Sequence, residues 1–447
     1  MENTVRRVRP QLQIEESPMT PFLWRVSAFT LGGMFTDGYI LGHIGIALGL
    51  ATPELGLNGL WLGLLAASTL LGILIGAPIA GRLADRFGRR RLLAVDFAVI
   101  AAGALAHLFV TDPGTLLALR TFMGIAIGAE YAIGAAVLSE FAPRRSRGTL
   151  LASLNGAWIV GFVAGFAVAY VMREAGADWR AIFASAAVPA LAVLLLRIGS
   201  PESPRWLLAN GRGEEAQAVV ERFYGGGYGL EGLAAASGEP AKRGLAELFS
   251  PAYRTRTIFA GGFWACQVMP LFALTIFLPQ VFEALGIGTE LGAEMLVNGM
   301  LLVGAVTGVI AIKYLPRRKL VIVTFGIVAA ALLAMSFAGS FPVWFGIGAF
   351  AVFVLVASAA SNLEYVYPSE IFPTEIRATG MGFAAALSRV GAAASTFLLP
   401  VALEKFGNMA TMALLAAIAV LGLVISVLWA PETQGKSLDE ASREGAQ

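Results

Sequence analysis

The sequence predicts an all-α membrane protein of twelve transmembrane helices arranged as two pseudo-symmetric six-helix bundles, on three observations. The 447 residues are 57% hydrophobic and only 14% charged, against about 25% charged in a soluble domain. The hydrophobic residues gather in runs of about 20, the length that crosses a hydrocarbon core of about 30 Å. A polar motif also recurs at a fixed offset. Ser139-Glu140-Phe141-Ala142-Pro143, followed by Arg147 and Thr149, returns 230 residues later as Ser369-Glu370-Ile371-Phe372-Pro373, with Arg377 and Thr379. Pro201-Glu202 returns as Pro431-Glu432 at the same offset. Such a repeat implies two related halves packed around a central polar site, a common way to build a membrane carrier.

The predicted spans, numbered 1 to 12, run approximately over 22–50, 58–81, 92–110, 114–141, 149–172 and 179–198 in the first half. In the second they run over 255–285, 290–312, 320–339, 342–367, 378–404 and 408–430. Uninterrupted segments of this length must be helical, because an open strand leaves its backbone unsatisfied in lipid. The polar N-terminal segment, 1–21, leads straight into span 1 and reads as cytoplasmic, with no cleavable signal.

Orientation follows from the basic residues. With the N-terminus inside, the cytoplasmic loops receive Arg6, Arg7, Arg9, Arg82, Arg86, Arg89, Arg90, Arg91, Arg144, Arg145, Arg147, Lys313, Arg317, Arg318 and Lys319. The opposite loops hold little beyond Arg173, Arg180 and Lys405. This asymmetry places both termini in the cytoplasm. The only long polar interval, 199–254, is a cytoplasmic linker between bundles 22–198 and 255–430, and 431–447 is a cytoplasmic tail. Gly225-Gly226-Gly227 marks a flexible stretch, and Glu214 to Tyr224 suits a short amphipathic helix. The basic residues are parcelled into loops, so nothing points to nucleic acid. The single cysteine, Cys266, excludes an internal disulfide and a cysteine metal cluster. Gly124 and Gly128 mark close helix contact within the molecule.

The loop after span 2 reads Gly81-Arg82-Leu83-Ala84-Asp85-Arg86-Phe87-Gly88-Arg89-Arg90-Arg91. Gly88 permits a tight turn, and Asp85 among arginines suits a charge-assisted latch. With S-E-F-A-P-R-R-S-R-G after span 4, P-E-S-P-R-W-L at 201–207, Y-P-S-E-I-F-P-T-E-I-R-A-T-G at 367–380 and P-E-T-Q-G-K-S-L at 431–438, the chain resembles the major facilitator superfamily, in its sugar-porter-like branch. The resemblance implies a binding site between the bundles and alternating access. It also implies a cytoplasmic gate network of Gly81, Arg82, Asp85, Arg86, Gly88, Arg89, Glu140, Arg147, Glu202, Arg205, Glu370, Arg377 and Glu432.

The chain departs from true sugar porters at positions where those carry hydrogen-bonding side chains. The paired Gln of span 7 falls on Cys266-Gln267, its following Asn on Phe272, and a Gln of span 5 on Phe162. Tyr365 stands where the span 10 Trp is found, after Ser361-Asn362. An unpaired polar partner is costly, so Phe at such places argues against a hexose. Glu364-Tyr365-Val366-Tyr367 looks closer to synaptic-vesicle-protein-like and organic-ion carriers, whose bacterial members are similar to transporters of niacin-type solutes.

Charged groups inside the membrane are functional candidates by default. Asp37 lies near the middle of span 1; in the resembled family an Asp here is a proton-coupling residue paired with an Arg of span 4, which Arg120 matches. Glu130 follows Arg120 by ten residues, about 15 Å along the axis, and is a separate acidic site, similar in setting to the Asp of phosphate-type relatives. Arg389, near the middle of span 11, suits a carboxylate or phosphate because its fork binds two oxygens. Glu364 reads as gate-associated, and His43 and His107 as packed. Tyr39, Tyr131, Asn155, Trp158, Trp264, Gln267, Asn298, Asn362 and Tyr365 complete the candidate pocket; Gln267 is the repeat mate of Asp37.

The expectation is a proton-coupled symporter, driven by the proton gradient without a cofactor, that moves a small organic solute, an organic or aromatic carboxylate being favoured. A sugar or polyol symporter is the alternative, then a phosphate or organic cation carrier, then a carrier-derived sensor. No G-x4-G-K-[ST] loop or metal-ligand cluster suggests an enzyme. The partners expected are the solute, protons and the bilayer, around a monomer in the plasma membrane. Arginine far outnumbers lysine, which hints at a prokaryote.

Overall fold

The computed structural model describes residues 12–225, 227–230, 245–285, 291–372 and 376–434. The side chains of Arg82, Asp85, Arg147, Tyr365 and Arg377 lie outside the described residues, as do 1–11, Gly226 and 435–447 of the terminal and linker expectations. The described chain is helical apart from a two-residue parallel ladder that pairs Leu12 with Tyr228 and Gln13 with Gly229, tying the N-terminal segment to the linker.

Among the described residues, eleven helices are long and apolar enough to cross a membrane. The longest continues as one assigned helix to Trp429 but is broken at Gly407, whose φ of 72° and ψ of 178° are not helical; spans 11 and 12 lie either side of it, giving twelve crossings. Span 1 comprises Pro21–Gly42 and Ile44–Leu55, span 2 Gly59–Phe87, span 3 Arg89–Ala106 and span 4 Pro113–Phe141. Span 5 is Arg144–Glu174 and span 6 is Trp179–Ala184 with Ala187–Arg197. In the second half, span 7 is Arg254–Ile276 with Leu278–Ala284, span 8 Leu291–Tyr314, span 9 Arg317–Ser336, and span 10 Val343–Ser361 with Leu363–Ile371. Between the halves lie short helices at Pro204–Ala209, Gly213–Phe223 and Leu245–Leu248.

Each half packs as a bundle in which span 1 lies on span 5, span 2 on span 4, span 7 on the 11–12 pair and span 8 on span 10. Lipid offers no hydrophobic drive between helices, so small residues that bring backbones together set these contacts. A Cβ at Gly38 or Gly42 would strike the backbone of Trp158 or Phe162, and one at Gly161 or Gly165 that of Phe35 or Tyr39. Spans 1 and 5 therefore cross at backbone contact, which fixes Trp158 beside the turn that carries Asp37. Gly124 and Gly128 meet span 2 in the same way.

The ends of the molecule differ. At the end away from the arginine clusters the halves are latched together. Glu404 of span 11 accepts from the Gly59 N–H at 2.8 Å, and Gln280 donates to the Gly45 carbonyl at 3.0 Å. At the basic end each half carries its own clasp. Arg89 meets Glu140 at 3.0 Å, and Arg317 meets Glu370 at 3.6 Å. Ser203 donates to Glu140 and Thr433 to Glu370, both at 2.5 Å. Glu202 accepts the Arg89 N–H at 3.0 Å, as Glu432 accepts the Arg317 N–H at 3.0 Å.

Candidate functional site

Between the halves lies a cavity of about 40 Å³ lined by Tyr131, Asn155, Trp158, Phe272, Ser358, Ser361, Glu364 and Arg389, among others. It has room for a water or two and none for a solute of five or six carbons, so the central site is closed around itself.

Asp37 is the buried anchor on the N-terminal side, 2% exposed. Its Oδ2 accepts from the Tyr131 hydroxyl and from the Trp158 indole N–H, each at 2.6 Å. Both donors also line the cavity. The Arg389 guanidinium enters from span 11, 5.0 Å over the Tyr131 ring and 5.9 Å over Phe272, and Trp158 packs on Phe272 at 5.5 Å with the rings tilted by 32°. Arg389 interacts electrostatically with both Asp37 and Glu364. One cation is thus bracketed by two acids, one from each half.

Several expectations are corrected here. Arg120 does not pair with Asp37. Tyr131 is the residue of span 4 that reaches Asp37, and Arg120 lies eleven residues earlier, about 16 Å along the axis. Its guanidinium instead donates to the Leu65 carbonyl at 3.1 Å and to Thr69 at 2.9 Å, and lies 4.9 Å over Phe183. Glu364, read as a gate residue, lines the central cavity. Tyr39 is held off the cavity, its hydroxyl 2.8 Å from that of Ser185 inside the N-terminal bundle. Asn298 donates to the Glu294 carbonyl and Asn362 to the Ala305 and Ala359 carbonyls, so both amides are spent within the C-terminal bundle. Gln267 faces Thr324, Phe325 and Ala357 of spans 9 and 10. Trp264 is buried beside Glu364. His43 and His107 pack on Phe183.

Sequence reading missed Asp96 and Arg197. Arg197 donates to Glu130 at 2.5 Å, to Asp96 at 3.1 Å and to the Leu93 carbonyl at 2.7 Å. All three charged residues are at most 6% exposed. Glu130 is therefore one member of a buried acid–arginine–acid cluster joining spans 3, 4 and 6. The signal available was an Asp inside span 3 and an Arg at the end of span 6.

Residues 24–444 match the family described as "Sugar (and other) transporter". The chain is 38% identical to the inner membrane metabolite transport protein YgcS of Escherichia coli over 97% of both chains. It is 27% identical to the arabinose-proton symporter of Bacillus subtilis over 99% of both. The inward-open xylose transporter XylE of Escherichia coli superposes with a TM-score of 0.79 at 21% identity, over 94% of this chain and 99% of that one. The carriers among these that are named for a substrate take sugars, which overturns the expectation of an organic or aromatic carboxylate. The geometry gives the reason. That expectation needed a guanidinium seeking an anion, and Arg389 already has Asp37 and Glu364 on either side. The chain belongs to the sugar (and other) transporter family of the major facilitator superfamily, and is a membrane carrier, not an enzyme.

Proposed function

We propose that the protein is a proton-coupled symporter of a neutral sugar or polyol, a monomer whose basic end and termini face the cytoplasm of a prokaryotic cell. The observation that carries this reading is the double duty of Tyr131 and Trp158. Both hold Asp37, and both line the cavity. A solute that takes hydrogen bonds from them loosens their hold on Asp37, and a proton on Asp37 frees them for the solute. Cargo and proton are coupled through shared donors.

The lining suits a polyhydroxyl solute. Asn155, Ser358, Ser361, Glu364 and Arg389 offer donors and acceptors, while Trp158 and Phe272 offer flat apolar faces for C–H groups. The hydrogen-bonding groups lost at Phe162 and Phe272 are replaced at different positions. The likeness of residues 364–367 to synaptic-vesicle-protein-like carriers then concerns the branch within the family, with the solute class set by the lining. Opening to the outside would release the Glu404 and Gln280 latches, and opening to the inside would part the basic end.

Uptake of arabinose, xylose, glucose and myo-inositol into proteoliposomes under an imposed pH gradient tests this. One proton per solute supports about tenfold accumulation per pH unit. Asp37→Asn is expected to abolish accumulation while sparing counterflow; accumulation that survives this substitution rules the reading out.

A further inference from the structure

We propose that Glu130, Arg197 and Asp96 form the inward leg of the proton path. A proton leaving Asp37 passes to Glu130, then to Asp96, and escapes through a basic vestibule between spans 3 and 6. This deepens the proton-coupled reading and rests on it.

The acids descend in depth toward the basic end. Asp37 lies sixteen residues from the start of span 1 at Pro21, about 24 Å along the axis. Glu130 lies eleven residues from the end of span 4 at Phe141, about 16 Å. Asp96 lies seven residues from the start of span 3 at Arg89, about 10 Å.

The first gap is short. The Glu130 carboxylate lies against Gly33 of span 1, where any Cβ would collide with it. Gly33 is one turn from Asp37 on the same face, about 6 Å away. The Oδ1 of Asp37 and the Oε1 of Glu130 are buried and accept no hydrogen bond from the described residues. The proposed first step passes through water held between these two oxygens. The charged groups facing Glu130 among the described residues are Arg197 of span 6, Asp96 of span 3 and Asp37 of span 1.

Charge counting then requires a proton in the cluster. Two carboxylates share one guanidinium, which Phe97 at 4.3 Å and Phe29 at 5.4 Å flank. Ionising both acids would strand a net negative charge in an apolar interior, at a cost of several kcal/mol. The neutral cluster therefore holds one proton, which moves between Glu130 and Asp96. Arg197 also lines a cavity of about 730 Å³ with Arg86, Arg90, Arg91, Arg212 and Glu202 at the basic end, an aqueous exit for the proton.

Glu130→Gln and Asp96→Asn test this, because each leaves one acid paired with Arg197 and the cluster neutral, so folding is spared. Both variants are expected to keep wild-type counterflow of whichever test sugar the wild type accumulates, and to lose pH-driven accumulation at least tenfold. Accumulation at the wild-type level in either variant would show a structural strut and overturn the path. Loss of counterflow as well overturns it, since the defect would then not be specific to protons. A wild type that accumulates no sugar, or an Asp37→Asn variant that still does, indicts the coupling reading instead. Infrared spectra of the purified protein supply a substrate-free arm. Each variant should show one protonated carboxyl fewer than wild type, while Asp37→Asn retains that carboxyl. Unchanged spectra in Glu130→Gln and Asp96→Asn sink the shared proton whatever the sugar.

Discussion

At the basic end the two halves are near copies, and inside the membrane they are not. The clasp of Arg89, Glu140, Glu202 and Ser203 is reproduced by Arg317, Glu370, Glu432 and Thr433, bond for bond. At the repeat offset, however, Asp37 faces Gln267, Asp96 faces Gly326, Arg120 faces Phe350, Glu130 faces Ala360 and Arg197 faces Val427. In the other direction, Arg389 answers to Ile159 and Glu364 to Gly134. No buried charge named here has a charged mate. The scaffold is doubled while the chemistry is single. The buried acids Asp37, Asp96 and Glu130 sit in the first half, and a cation with its own acid, Arg389 with Glu364, sits in the second, beside the cavity. A closed gate needs both halves alike, whereas a carrier moving one proton past one solute needs each ionisable group only once.

The largest effect should come from removing the central arginine of each half. Arg197→Met leaves the acids Glu130 and Asp96 without their cation in an apolar interior, and breaking a buried pair in this way costs about 3–5 kcal/mol. Arg389 is only half-buried and borders the cavity, where water can stand in beside Asp37 and Glu364. Arg389→Met should therefore lose less than half as much stability and yet lose transport. Thermal melting in detergent, read beside counterflow, separates the two. Equal melting losses would mean that Arg389 is as sealed as Arg197, and the contrast between sealed and cavity-facing charge would fail.

A middle-sized effect is expected at a pair of repeat-related glycines. A Cβ at Gly161 would drive into the Phe35 backbone, and one at Gly391 would meet the Met269 side chain at 3.1 Å. Backbone cannot yield, and a methionine side chain can. Gly161→Ala should cost about 1–3 kcal/mol through overpacking and should spread spans 1 and 5, drawing Trp158 off Asp37. Gly391→Ala should come close to neutral, since the helix-propensity gain of about 1 kcal/mol offsets a small shift of Met269. Accumulation assays and melting on both variants check this. A larger loss at Gly391 would show that the second half is the rigid one.

Much of this was legible in the sequence. Run length gave the spans, and the 230-residue repeat gave the halves and the four glutamates of the clasps. Asp37, Tyr131, Asn155, Trp158 and Arg389 stood out because ionisable, amide and aromatic groups in long apolar helices need neighbours. Which way a side chain faces was much harder to read. A membrane helix is apolar all round, so it has no polar stripe to mark the inner face. Gln267, Asn298 and Asn362 were therefore assigned to the cavity on chemistry alone, and the structure turns them into the C-terminal bundle. Asp96 and Arg197 escaped notice because each lies near a span end, where a charge reads as interfacial. Only the packing of span 3 on span 6 reveals that they meet Glu130.

The smallest effect, and the sharpest test of likeness between the halves, lies in the clasps. Both ion pairs are partly exposed, with side chains 18% and 13% exposed for Arg89 and Glu140 and 14% and 20% for Arg317 and Glu370. Pairs of that kind contribute about 0–1 kcal/mol. The shorter contact in the first half, 3.0 against 3.6 Å, predicts the larger coupling there. Double-mutant cycles on Arg89→Ala with Glu140→Gln, and on Arg317→Ala with Glu370→Gln, measure both couplings by melting. A second-half coupling exceeding the first would invert the order that distance dictates. The difference would then have to come from the neighbouring glutamates. Glu202 and Glu432 bind the first turns of spans 3 and 9 at 3.0 Å, and each adds negative charge where the helix dipole favours it. Repeating the cycles in Glu202→Gln and Glu432→Gln backgrounds would then locate the asymmetry in these carboxylates or in the ion pairs themselves.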